Sequence, residues 1–178
     1  MVFAPHVETA AGMILPDDYL RQVSDAVHQV GGLFVLDCIA SGAMWVNMET
    51  TGVDVLVSAP QKGWSGSPAC AMVMLSERAR KAIDGTTSTS FACDLKKWLQ
   101  IMETFENGGH AYHATMPTDA LAAMRDVMLE TEALRQSIRH GDAAWEAATS
   151  SRNLGSDTSV PLRDIEPSEN RLGSSASQ

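Results

Sequence analysis

The chain is poor in the residues that staple or anchor a fold. Three cysteines, Cys38, Cys70 and Cys93, are spread widely through 178 residues. No two form a CxxC pair, so neither a disulfide framework nor a zinc site is indicated. Cations are also scarce, 13 Lys+Arg against 22 Asp+Glu for a net charge of −9, which argues against nucleic acid or an anionic membrane as the main partner. No apolar run approaches the roughly 18 residues of a spanning helix, and no charged-then-apolar leader precedes Val2. Reduced thiols and the lack of a leader make a cytoplasmic location the expectation. The length suits one domain with a real core.

What is present alternates between helical and short apolar segments. Val2 to His6 reads as a strand end arriving with little before it. Pro16 opens a helix with Asp17 and Asp18 in its first turn, where carboxylates suit the dipole. Leu20, Val23, Val27 and Val30 form one stripe, and Gly31-Gly32 stop it. Leu33 to Asp37 and Val53 to Ser58 are unalternating apolar runs, the mark of parallel strands covered on both faces. A third strand, Ala69 to Leu75, follows too soon for a parallel crossover, so it is expected to run antiparallel. Ser76 caps a short charged helix ended by Gly85. Further helices are expected over Asp94 to Glu106 and from Thr118 onward, the latter carrying Leu121, Met124, Met128, Leu134 and Ile138. The fold class is therefore α/β, a mostly parallel sheet flanked by helices. Residues 1–140 form the ordered domain. Residues 132–178 hold nine serines and no run of core apolars, so 141–178 is expected to be a disordered tail.

The stretch VSAPQKGWSGSP places one lysine, Lys62, just past a strand and in a loop of Gly, Ser and Pro. A solubilising lysine ordinarily sits among other charges on a helix face. In open parallel sheets ligands bind beyond the carboxyl ends of the strands. Asp37 closes one strand and Gln61-Lys62 follow another, so Asp37 and Lys62 are expected to face one pocket. An amine set across from a buried carboxylate suits pyridoxal phosphate, the amine forming a Schiff base and the acid keeping the pyridine nitrogen protonated.

Four ordered motifs, HVETAAG, LFVLDCIAS, SAPQKGWSGSP and YHATMPT, together resemble the class V aminotransferases of fold type I. Within that class the pattern is most similar to the alanine–glyoxylate and serine–pyruvate (serine–glyoxylate) group, over roughly residues 2–131. The resemblance implies a partial large domain and an aminotransferase that moves an amino group from a small amino acid such as alanine or serine to a 2-oxo acid such as glyoxylate or pyruvate. By position, Lys62 matches the Schiff-base lysine and Asp37 the acid at the pyridine nitrogen. Thr9 matches the hydroxyl near the phenolic oxygen, and Gln61 a phosphate-side contact. Tyr112 and Thr115 resemble residues that reach the cofactor phosphate of the other subunit, which implies a homodimer with shared active sites. His6 and Glu8 receive no role beyond shaping their loop.

The family's upstream phosphate loop and stacking aromatic, and its C-terminal arginine domain, have no counterpart in these 178 residues. The truncated chain is therefore expected to be inactive alone. The alternatives are a truncated, catalytically inactive product or another class V chemistry. A cysteine desulfurase would carry His where Gln61 stands, and an aminoethylphosphonate transaminase Asn. His110 and His113 lack a third ligand, so no metal is expected. Cys38 is expected to be a buried inert thiol, the ten methionines core filler, and Arg78, Arg80 and Lys81 a solvated helix face.

Overall fold

A computed structural model describes residues 1–41 and 44–150, with side chains through 134. Its main sheet has four strands, β1 (Val2–Pro5), β4 (Phe34–Asp37), β5 (Val55–Ser58) and β6 (Met72–Leu75), in the order β1-β4-β5-β6. The first three run parallel, with Pro5 beside Asp37 and Asp37 beside Val57, so their carboxyl ends lie level. β6 is antiparallel to β5, as its short connection requires. Between β1 and β4 come a small antiparallel hairpin, β2 (Val7–Glu8) with β3 (Met13–Ile14), and helix α1 (Asp17–Gln29). A short helix α2 (Met48–Thr51) precedes β5, and α3 (Glu77–Asp84), α4 (Leu95–Glu106) and α5 (Thr118–Ser150) follow β6.

The core forms where α1 covers the sheet. Leu20 and Val27 on one face of α1 join Phe34, Leu36, Cys38, Val46, Val53 and Leu56 in a single buried cluster. Phe34 is fully buried, and burying such a side chain contributes about 2 to 3 kcal/mol. Local chemistry sets the boundaries. The Ser76 hydroxyl accepts the Ala79 N–H to cap α3, the Asp94 carboxylate caps α4 through Lys97 N–H, and the Asn47 side chain caps α2. Gly52 ends α2 at φ 73°, and a Cβ there would lie 2.8 Å from that of Ser24, so both conformation and space require glycine.

Two expectations change. Met124 is buried, but Met13, Met44, Met102 and Met128 are exposed. The faces of α4 and α5 that carry Met102, Phe105, Met128, Leu129 and Leu134 meet solvent, so these side chains are not core filler. Arg78 and Arg80 are not simply solvated either. Arg78 donates to Gly32 O at 2.7 Å and lies 3.9 Å from Asp54, while Arg80 pairs with Glu103 on α4.

By internal contacts the chain divides into Met1–Gln136 and Ser137–Gln178. The expectation for the tail lies, from residue 151 on, outside the described residues. No helix among the described residues is long and apolar enough to cross a membrane.

Candidate active site

The level carboxyl ends of β1, β4 and β5 gather three loops on one edge of the sheet. The β1 loop begins at His6, whose N–H donates to Asp37 O at 2.8 Å and so carries the ladder one residue further. His6 O accepts Leu15 N–H, closing the β2–β3 hairpin with Thr9 exposed near its tip. The Glu8 carboxylate accepts Ala10 N–H and shapes the turn.

β4 ends in Asp37. The strand is buried through Leu36, yet the Asp37 carboxylate itself is exposed, which corrects the expectation of a buried acid. Alternation explains it, because the last residue stands at the rim where the covering layer ends. Its Oδ1 accepts Ile39 N–H at 2.9 Å, and its Oδ2 has no partner among the described residues. The turn then runs to Ser41, and Cys38 N–H donates across to Val57 O. Cys38 is buried, and burial pushes its thiol above the usual range, against a lowering hydrogen bond from Ser41 and with a small rise from the Asp37 charge.

The loop after β5 folds back on itself. Gly66 N–H donates to Pro60 O at 2.8 Å, Ser65 N–H to Lys62 O at 3.0 Å, and the Trp64 indole N–H to Ser58 Oγ at 3.1 Å. Ser65 takes φ 59°, the one non-glycine residue in the left-handed region among those described. Such strain persists only where surrounding structure enforces it, and it gathers at ligand sites. Gly66 passes so close to α5 that a Cβ would sit 3.0 Å from Met124 Sδ. Gln61 and Lys62 project from this turn, exposed, and neither side chain is bonded to another described residue. Beside it, Trp45 and Trp64 meet edge to face at 6.3 Å and border a cavity of about 350 Å³ against Met128 and Leu129.

Thr9, Asp37, Gln61 and Lys62 thus stand on loops at adjoining strand ends. Tyr112 and Thr115 are elsewhere in the chain, after α4. They meet each other at 3.3 Å, Tyr112 is 74% exposed, and no hydrogen bond among the described residues ties them to the strand-end group. Sequence reasoning passed over Ser41, whose hydroxyl meets buried His6, and over His6 as its partner. A lone serine four residues beyond an acid carries no signal of its own.

Known proteins resemble this chain in sequence. A 2-aminoethylphosphonate–pyruvate transaminase of Paraburkholderia phymatum is 31% identical over 149 residues, covering 83% of this chain and 36% of that protein. The alanine–glyoxylate aminotransferase of Oryctolagus cuniculus is 27% identical over 161 residues, covering 87% and 40%. The chain is similar to the class V aminotransferases. Its fold agrees. The aspartate aminotransferase of Thermus thermophilus superposes with a TM-score of 0.58 at 26% identity over 72% of this chain and 34% of that one. An alanine–glyoxylate aminotransferase from Nostoc sp. also gives 0.58, at 24% identity over 70% and 32%. The chain spans a little over a third of the length of the curated relatives it matches. No protein-family model matches it.

Proposed function

We propose that this chain is the cofactor-binding segment of a pyridoxal-phosphate aminotransferase, one that moves an amino group from a small amino acid such as alanine or serine to glyoxylate or pyruvate. The observation that carries the reading is the placing of a lysine and an aspartate on loops at adjacent parallel strand ends, each with an open polar atom. The donor set fits the cofactor: an amine for its aldehyde, a carboxylate oxygen for its ring nitrogen, a hydroxyl for its phenolic oxygen and an amide for its phosphate.

When bound, pyridoxal phosphate supplies an aldehyde that exchanges amino groups and a ring that draws electron density from the substrate Cα. Asp37 Oδ2 holds the proton on the ring nitrogen, while Oδ1 stays on Ile39 N–H and keeps the carboxylate oriented. Lys62 Nζ would hold the aldehyde end of the cofactor and would stand as the base for the proton on the substrate Cα. Thr9 donates its hydroxyl to the phenolic oxygen, and Gln61 its amide to the phosphate. Tyr112 and Thr115, exposed and bonded among the described residues to each other, would reach the cofactor phosphate of a second subunit in a homodimer. The thiols, all free, suit a cytoplasmic location.

Borohydride reduction after incubation with pyridoxal phosphate tests the reading, because it fixes the cofactor to its lysine. Peptide mapping should find the label at Lys62 and lose it in Lys62→Ala. Label on Lys81, Lys96 or Lys97 instead would overturn the assignment. The match to 2-aminoethylphosphonate–pyruvate transaminases favours a second reading, in which the amino donor is 2-aminoethylphosphonate. Comparing that donor with alanine and serine in the complete enzyme separates the two.

A further inference from the structure

His6 lies just beyond β1 and is only 2% exposed. The residue is tied on three sides. Its backbone N–H donates to the carbonyl of Asp37, and its backbone carbonyl accepts the N–H that closes the Thr9 hairpin. Its ring Nδ1 meets Ser41 Oγ at 2.7 Å, across 35 residues of sequence. Ser41 belongs to the turn that begins at Asp37, its N–H donating to Cys38 O. The Asp37 carboxylate is oriented by that same turn through Ile39 N–H. One side chain therefore joins the loop that presents Thr9 to the loop that presents Asp37, and it touches neither functional group.

We propose that His6 is a positioning residue, whose hydrogen bond to Ser41 locks the Asp37–Ser41 turn and sets the direction of the Asp37 carboxylate. This rests on the cofactor-binding reading for its functional consequence, although the lock itself is a property of the chain. Without the imidazole, Ser41 loses its cross-loop partner, the turn stays anchored at Cys38 through Val57 O but its Ser41 end is held by the local bond to Cys38 O, and the carboxylate samples directions that miss the ring nitrogen. Burial also drives the imidazole below its ordinary pKa, with the charge of Asp17 opposing. The lock is therefore held by a neutral ring at neutral pH.

The test uses the 178-residue chain with His6→Leu, His6→Asn and Ser41→Ala. Amide exchange at Ile39 and Ser41 reads the lock directly, and affinity for pyridoxal phosphate reads its consequence. His6→Leu and Ser41→Ala should each speed exchange at both amides about tenfold, leaving Leu56 in β5 unchanged. The double variant should be no faster than the faster single one, since both remove one bond. His6→Asn, whose side-chain amide can stand where Nδ1 does, should stay within about threefold of the parent. Cofactor affinity should fall about tenfold in the Leu and Ala variants and recover in Asn. Exchange within about twofold of the parent in both His6→Leu and Ser41→Ala would overturn the proposal. So would an equal affinity loss in Val27→Ala, a core variant matched for thermal midpoint. A parent chain that takes up no pyridoxal phosphate would sink the cofactor reading instead, and the exchange data would still decide His6.

Discussion

Two aspartates stand at opposite ends of neighbouring strands. Asp54 precedes β5 and is 2% exposed. Its Oδ2 accepts Phe34 N–H at 2.9 Å and lies 2.8 Å from His28 Nε2, while its Oδ1 accepts the Ser76 hydroxyl at 3.2 Å. It ties together the end of α1, the start of β4 and the cap of α3. Asp37 closes β4, exposed, with one local N–H on one oxygen. The same side chain serves fold at one end of the sheet and, in the proposed function, chemistry at the other. The difference lies in how many of its lone pairs the chain itself occupies. A carboxylate saturated by its own protein has nothing to offer a ligand.

Substitutions at the two positions should therefore fail in different ways. Asp37→Asn in the complete enzyme should cut turnover by about a thousandfold while leaving the unfolding midpoint unchanged, because it removes the charge that keeps the ring nitrogen protonated. Near-normal turnover would make Asp37 structural and erase the contrast. Asp54→Ala should instead cost about 3 kcal/mol in urea unfolding, since the Phe34 N–H and the Ser76 hydroxyl lose their buried acceptor. A loss below about 1 kcal/mol would mean that water replaces the carboxylate there. Ser76→Ala, which removes one donor to Asp54 and the cap of α3 together, should cost about 1 kcal/mol. Cofactor uptake should not change.

The smallest effect is that of pH on His6. Its folded-state pKa lies below the ordinary value of 6.5, so the unfolded chain binds the proton more readily. Stability should be full above that value and decline as pH falls through it towards the depressed folded-state pKa. His6→Asn should flatten this part of the stability profile, and an unaltered slope would assign the decline to other groups.

The sheet was legible because its strands are apolar runs with clear ends. The antiparallel sense of β6 followed from chain length alone. Helices α1, α3 and α4 announced themselves through Pro16, Ser76, Asp94 and the glycines after them. The β2–β3 hairpin did not, since two-residue strands have no measurable period. Helix α2 is a single turn whose signals, Asn47 and Gly52, are short-range and easily missed. At the site, Asp37 and Lys62 were visible from type and position. The partners of Asp54 were not, because its donors come from His28, Phe34 and Ser76, and hydrophobic patterning is blind to polar contacts across 20 or more residues. The pairing of His6 with Ser41 was hidden for the same reason.

The antiparallel return of β6 also bears on the order of assembly. Ser58 pairs with Met72, whereas Val2 must find Phe34 more than twice as far along the chain. Each doubling of a closed loop costs about 0.6 kcal/mol in chain entropy, so the β5–β6 ribbon that encloses Lys62 is the cheaper nucleus. In a refolding experiment with pulsed exchange labelling, the amides of Leu56 and Met74 should gain protection before those of Val35 and Leu36. The lysine would then have its turn built before the strand that bears Asp37 has docked.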